Sequence, residues 1–259
     1  MIKSLSIAGI IISSLLILLL IITALFAGIL TGYDPILQNL QDRFSPPSSQ
    51  HLFGADSFGR DVLTRVLYGF RSSLGVGALS ILIALIIGAL LGIAAGSTGS
   101  VIYSVIITAA RFLSAGPGII LTILMAVWSR SPLGCAIGIA IILIPGFIRV
   151  FSSIISYKKA GDILLVIIAQ MALSMALAVL LYAGLSYIGL GAQPPTAEPG
   201  LMIAHGIRYL RNGPHEAVIP GIALVLTALS FNILGESLNT YVLTKEKDEP
   251  SPAGSAPID

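Results

Sequence analysis

The stretch that most constrains this chain is DILLVIIAQMALSMALAVLLYAGLSYIGLG, residues 162–191. It holds no charged residue from Ile163 to Leu190, and Gln170 is its one amide. A helix rises 1.5 Å per residue, so about 20 apolar residues cross the roughly 30 Å hydrocarbon core of a bilayer. A buried helix of a water-soluble domain can be this apolar, but such a helix does not come with five companions. Comparable stretches lie at 6–30, 75–95, 103–128, 133–150 and 218–238. The expected fold is all-α, a polytopic transmembrane bundle of about six spans.

Composition agrees. The 259 residues are 56% hydrophobic and 10% charged, against about 25% charged in ordinary soluble domains. A net charge of +2 without a dense Lys/Arg patch argues against a nucleic-acid partner. Cys135 is the single cysteine, which excludes an intramolecular disulfide and a cysteine-based metal site. No GxxxxGK[ST] loop occurs, so an energy source has to be a partner or an ion gradient.

The pieces between the spans divide the chain further. Lys3 and the first apolar run resemble a secretory signal, but the run exceeds 20 residues without a clear small-x-small cleavage site, so an uncleaved span is expected. With the irregular Pro-containing loop that follows, it makes up residues 1–50. Residues 51–74 contain DSFGRDVLTRVLYGFRSSL, where Val62, Leu63, Val66, Leu67, Phe70 and Leu74 share one side at helical spacing. Arg60, Asp61, Thr64, Arg65 and Arg71 fall largely on the other, the pattern of an amphipathic interfacial helix that leads into the next span. The five-span core is 75–240, with a short polar connection at 156–162 and an expected disordered tail at 241–259. Gly88 and Gly92 share a face and allow close helix packing. Gly116-Pro117-Gly118 and Pro145-Gly146 are expected to break or kink their spans. A short helix is expected within 201–210. Lys3, Arg149, Lys158, Lys159, Lys245 and Lys247 fall on one side of a six-span topology and Arg43, Arg60, Arg65, Arg71, Arg130, Arg208 and Arg211 on the other. The raw count does not decide, and the short Lys158-Lys159 loop is what marks the first side as the expected cytoplasmic one.

Chemistry is hard to find. His51, His205 and His215 lie in separate loops and read as surface residues, and the acids nearest the spans, Asp162 and Glu236, sit at span ends. An ion-coupled transporter needs ionisable or helix-breaking sites at mid-membrane, and only the breaks are present. A channel needs rings of polar residues, which do not occur. No catalytic or metal-binding set is expected.

Three segments carry a resemblance. HLFGADSFGRDVLTRVLYGFRSSLGVG, residues 51–77, resembles the entry motif of permease subunits of dipeptide, oligopeptide and nickel ABC importers. Gly54, Asp56, Gly59, Arg60 and Asp61 match its GTD…GRD pattern, with Ala55 for the threonine. LSYIGLGAQPPTAEPG, residues 185–200, is similar to LSFLGLGVQPPTPSWG, with Glu198-Pro199 where Ser-Trp is usual. IPGIALVLTALSFNILGESLN, residues 219–239, resembles the ending PG…L…FNLLGD.LRD. The chain looks like the second, C-type subunit of the pair.

The resemblance implies the type I importer permease fold, with six spans in the cell's inner membrane and both termini cytoplasmic. It implies a sister permease, two cytoplasmic ATPase subunits that bind the ATP, and an extracytoplasmic solute-binding protein; this chain itself carries no cofactor. The substrate is a peptide or a nickel or metal complex, moved by alternating access. Arg60, Asp61 and Arg65 are expected to order the outer motif or to be ordinary interfacial charge. Gln193, Pro194 and Pro195 are expected to face the binding protein or to form a rigid connector. Lys158, Lys159, Ala160, Gly161 and Asp162 are the counterpart of the ATPase-coupling loop or anchor topology, and Asn232 meets a partner helix or the pathway. One departure stands out: the family's longer loop, EAARALGAS…LPN, shrinks here to 156–162. A permease-like scaffold without normal ATPase coupling is therefore the alternative, and a secondary transporter a further one.

Overall fold

A computed structural model describes residues 2–97, 100–114, 116–153 and 160–248. In chain order the helices are α1 (Ile2–Leu25), α2 (Ala27–Thr31), α3 (Val62–Ser97), α4 (Ser100–Ser114), α5 (Pro117–Ser129), α6 (Pro132–Ser152), α7 (Ala160–Tyr187), α8 (Pro199–Gly206) and α9 (His215–Asp248). Single 3₁₀ turns occupy Leu40–Asp42 and Ile207–Tyr209. The architecture is all-α: the described residues contain an isolated antiparallel bridge, Ala55 to Asp61, and no strand. Among the described residues five helices are long and apolar enough to span a bilayer, and α4 with α5, bent by 68°, makes a sixth span if the pair is counted as one. The protein is a multi-pass membrane protein.

Packing follows the size of the side chains. α3 lies along α6, α7 along α9, α1 along α9, and α5 along α6. Their contact surfaces are rich in small residues, with Ala84, Ala136, Ala140 and Ala178 essentially inaccessible around Ile139, Phe147 and Tyr182. Large apolar side chains such as Leu15, Leu90, Ile120 and Val225 point outward. Lipid tails solvate leucine as well as another helix does, so helices gain by approaching closely through small residues.

Gly88 and Gly92 do this for α3. A Cβ on Gly88 would stand 2.4 Å from the Phe147 Cβ, and one on Gly92 2.8 Å from the Ile148 carbonyl oxygen. Gly88→Leu is expected to force α3 off α6 and to cost about 1–3 kcal/mol, as overpacked cores do. Thermal unfolding of the purified chain in lipid nanodiscs checks this, and an unchanged midpoint would contradict the packing.

Three boundaries differ from the sequence expectation. The amphipathic segment and the second span form one uninterrupted helix, α3, because nothing between Leu74 and Gly75 ends a helix. Pro145-Gly146 does not break α6, which runs on to Ser152. Gly146 instead leaves room for Gln170 of α7, whose Nε2 would lie 2.5 Å from a Cβ there. α9 continues past residue 240 to Asp248, with Val242 2% exposed; 249–259 lie outside the described residues. The break at 116–118 does separate two helices, and the short helix expected within 201–210 is α8, beginning at Pro199.

Candidate functional site

The polar chemistry of the chain collects at the end of the bundle that carries residues 32–61, α8 and the start of α9. Its centre is Asp56, 2% exposed. One carboxylate oxygen accepts the backbone N–H groups of Phe58 at 2.8 Å and Arg60 at 2.9 Å. The other accepts from Arg60 Nε at 2.7 Å. The Arg65 Nε stands 3.4 Å from that same oxygen without a hydrogen bond, while its Nη1 donates to the Pro35 carbonyl at 2.7 Å. Arg60 also lies over the Phe58 ring, 4.6 Å from its centre.

Asp61 caps α3. Its Oδ2 accepts the Thr64 backbone N–H at 2.7 Å and the Thr64 hydroxyl at 2.6 Å, satisfying a donor that a helix start leaves unpaired. Its Oδ1 meets His51 Nδ1 at 3.0 Å. Gly54, two residues before Asp56, and Gly59, between the two acids, shape this turn with φ of +79° and +70°, where glycine alone is unstrained. A Cβ at Gly59 would also lie 1.7 Å from the Asn39 carbonyl oxygen, so the position is closed to other residues.

The polar face of the segment read as an amphipathic interfacial helix is packed inside the protein, with Arg65 bonded to Pro35 of the upstream loop: Thr64 and Arg65 are as buried as Val62 and Val66 on the opposite side. The histidines also differ from the surface reading. His51 is 6% exposed, and His215 Nε2 donates to the Ala55 carbonyl at 2.8 Å, a partner that can only accept.

Two acids that sequence reasoning passed over complete the cluster. Glu216, in the first turn of α9, accepts from the Ser57 backbone N–H at 3.1 Å and the Ser57 hydroxyl at 2.9 Å, tying the motif to the last span. Glu198 is fully buried and caps α8: its Oε2 accepts the Leu201 N–H at 2.9 Å and its Oε1 the Ser73 hydroxyl at 3.2 Å. Burial pushes the Glu198 carboxyl above the usual carboxylate range, and its hydrogen bonds from backbone and serine donors pull it part of the way back. The signals were present, an acid directly before the proline of a helix start and an acid just after Pro214.

The other expected site residues are dispersed. Pro194 and Pro195, joined by a cis peptide bond, are exposed beside the cluster, and Gln193 Nε2 donates to the Gly189 carbonyl at 2.6 Å. Asn232 is exposed on α9 at the edge of an apolar cavity between α7 and α9. Lys158 and Lys159 lie outside the described residues. Ala160 and Gly161 begin α7, and Asp162, 6% exposed, pairs with Lys245 Nζ of α9 at 2.5 Å. Among the described residues no group of three or more His, Cys, Asp or Glu side chains is placed to hold a metal ion. The arrangement orders a turn and a helix start, and the hydroxyls of Ser57 and Thr64 serve as donors that tie the carboxylates of Glu216 and Asp61 in place.

Comparison with known proteins places this geometry in a family. No family model matches the chain. It is 35% identical, over 95% of its length and 87% of the relative's, to the dipeptide transport system permease protein DppC of Alkalihalophilus pseudofirmus. It is 32% identical, over 87% of its length and 84% of the relative's, to the probable D,D-dipeptide transport system permease protein DdpC of Escherichia coli. Against the glutathione transport system permease protein GsiD of Pectobacterium atrosepticum it is 33% identical over 91% of its length and 86% of the relative's. The chain belongs to the family of C-type permease subunits of the peptide-importing ABC transporters.

Proposed function

We propose that this chain is one of two paired permeases in an ATP-driven, binding-protein-dependent importer of short peptides, and that it forms half of the translocation pathway by alternating access. The likeness to DppC across 95% of the chain carries the reading. The relatives compared are named for dipeptides, D,D-dipeptides and glutathione, which favours peptidic cargo over nickel complexes. The partners in this reading are a sister permease, two cytoplasmic ATPase subunits and an extracytoplasmic solute-binding protein. Closure of the ATPase pair on ATP biases a two-state membrane element, and the permease itself does no covalent chemistry. The Asp56 cluster with Gln193, Pro194 and Pro195 faces the binding protein, and Asn232 looks onto the sister subunit or the path.

Coupling runs through 156–162. In this reading Lys158 and Lys159 touch the ATPase, and Asp162, engaged by Lys245, fastens the loop to α7 and α9 so that a push on the loop moves both. A scaffold that pairs with the sister permease without a motor is the second reading. One observation favours it: the alignment with DppC runs over 269 positions, more than the whole chain holds, so DppC carries residues inside the matched region that this chain lacks.

Co-expression with the neighbouring genes, purification and an ATPase assay in lipid separate the two. Import predicts co-purifying ATPase subunits whose hydrolysis rises with the binding protein. A stable permease pair with no ATPase bound would overturn it in favour of the scaffold. Lys158→Ala with Lys159→Ala is expected to weaken ATPase retention roughly fivefold, the worth of two surface ion pairs, while leaving the permease pair intact. Unchanged retention would remove the lysines from the contact.

A further inference from the structure

Beside the Asp56 turn lies a cavity of about 120 Å³, walled by the motif, the loop at Gln38, the Pro194-Pro195 segment, α8 and the start of α9. Two guanidiniums line it, Arg60 at 7% and Arg65 at 4% exposure. They share one acidic partner: the Asp56 Oδ2 takes a full hydrogen bond from Arg60 at 2.7 Å and leaves Arg65 at 3.4 Å. Glu216, the other acid in the wall, has both oxygens turned to Ser57. His205 adds no charge, since burial first and Arg208 next hold its pKa below the ordinary histidine value. Among the described residues the Arg65 Nε is the one buried side-chain polar atom without a hydrogen-bond partner. A buried guanidinium nitrogen that has an ion pair at 3.4 Å but no hydrogen bond is under-satisfied, and its preferred complement is a planar carboxylate that takes two parallel hydrogen bonds. The wall holds the Asp56 and Glu216 carboxylates beside the two guanidiniums, and each of their oxygens already accepts a hydrogen bond from a protein donor.

We infer that this cavity binds a carboxylate group, with the Arg65 guanidinium as principal donor and Arg60 beside it. The inference rests on the import reading for the source of the group, the C-terminal carboxylate of an arriving peptide. The cavity has room for a carboxylate, and the exposed Thr196 at its rim leaves it open beside the segment proposed to meet the binding protein. The site would then hold the free end of a peptide as it leaves the binding protein, and would disfavour peptides whose C terminus is blocked.

The test uses the co-expressed complex in nanodiscs, without binding protein, and acetate as the probe, read by saturation-transfer NMR. An acetate signal is expected that falls about tenfold in Arg65→Gln, because a charge-assisted bidentate contact is lost. Glycylglycine should compete for the signal and glycylglycinamide should not. Arg65→Gln also removes the bond to the Pro35 carbonyl, so a second variant, Thr196→Trp, covers the rim without touching a charge and should abolish the signal at an unchanged elution volume. An acetate signal that survives in both variants, or equal competition by the amide, overturns the site. Peptide import, measured on the same complexes reconstituted into sealed proteoliposomes with the binding protein added, separates the two readings. Import with no Arg65-dependent signal overturns the carboxylate site alone; an Arg65-dependent signal in a complex that imports no peptide overturns the import reading and the peptide as source.

Discussion

Asp56→Ala should collapse the loop-bearing end of the protein, with a loss of about 3–5 kcal/mol, the range for breaking a buried ion pair by removing one partner. The size follows from what the carboxylate holds. It accepts two backbone donors and one guanidinium and offsets a second, all within a turn 2–7% exposed at Asp56, Arg60 and Arg65. Without it two like charges face each other out of water, and two backbone N–H groups lose their acceptor. Asp56→Asn keeps an acceptor oxygen but not the charge and should fall between the variant and the parent. The decisive comparison is the double variant Asp56→Ala/Arg60→Met, which removes both ends of the strongest pair. It should recover part of the stability, since replacing a buried pair by apolar groups is far cheaper than halving it. Thermal unfolding in nanodiscs and the yield of permease pair read both effects. A double variant weaker than the single one would show that Arg60 stabilises this end independently of Asp56.

That end of the molecule was the least legible in the sequence, and the reasons are physical. Spans announce themselves because every residue in them answers to the same solvent, so 133–150 and 162–191 predict their helices to within a few residues, whereas α3 begins well before its apolar run and α9 runs well past its own. The face shared by Gly88 and Gly92 was readable for the same reason, since close packing of helices in lipid leaves few other uses for paired glycines. The segment 51–74 obeys a different rule. Its polar side reads as water-facing by periodicity, yet Thr64 and Arg65 are buried because the loop upstream folds back over them. Nothing local encodes that. The loop contact on Arg65, from its Nη1 to the Pro35 carbonyl, joins residues 30 apart, and the Ser57 contact with Glu216 joins residues 159 apart. Pro145 misled for a related reason: a proline lowers helix stability locally, but α6 is packed on α3, α5 and α7, and those contacts keep it continuous. The family motif singled out Asp56, Arg60 and Asp61 before any geometry did, though it gave no hint that Asp61 caps a helix while Asp56 holds a turn.

Glu198 offers the second large effect and a sign that can be checked. The family pattern has serine at this position, and both serine and glutamate can cap a helix start, so the departure from the pattern keeps the α8 cap while changing its charge. Glu198→Ala strands the Leu201 N–H and the Ser73 hydroxyl, both buried with it, at about 1–3 kcal/mol for each donor left unsatisfied. Glu198→Gln retains an acceptor for them and cannot ionise. The folded-state pKa of Glu198 is raised by burial. Its contribution to stability is therefore fully present below the unfolded-state pKa of about 4.3 and is lost as pH rises through the folded value. The parent should lose stability as pH rises from about 4.3 to the folded value and stay level above it, and Glu198→Gln should flatten this part of the profile, equalling or exceeding the parent at neutral pH. Glu198→Ser should cap α8 as well as the parent does and share the flat profile. Unfolding midpoints between pH 5 and pH 9 decide the matter. If Glu198→Gln is as damaged as Glu198→Ala, the carboxylate works as an ion held by its donors, and the net charge it brings to this end, not its cap, is what α8 requires.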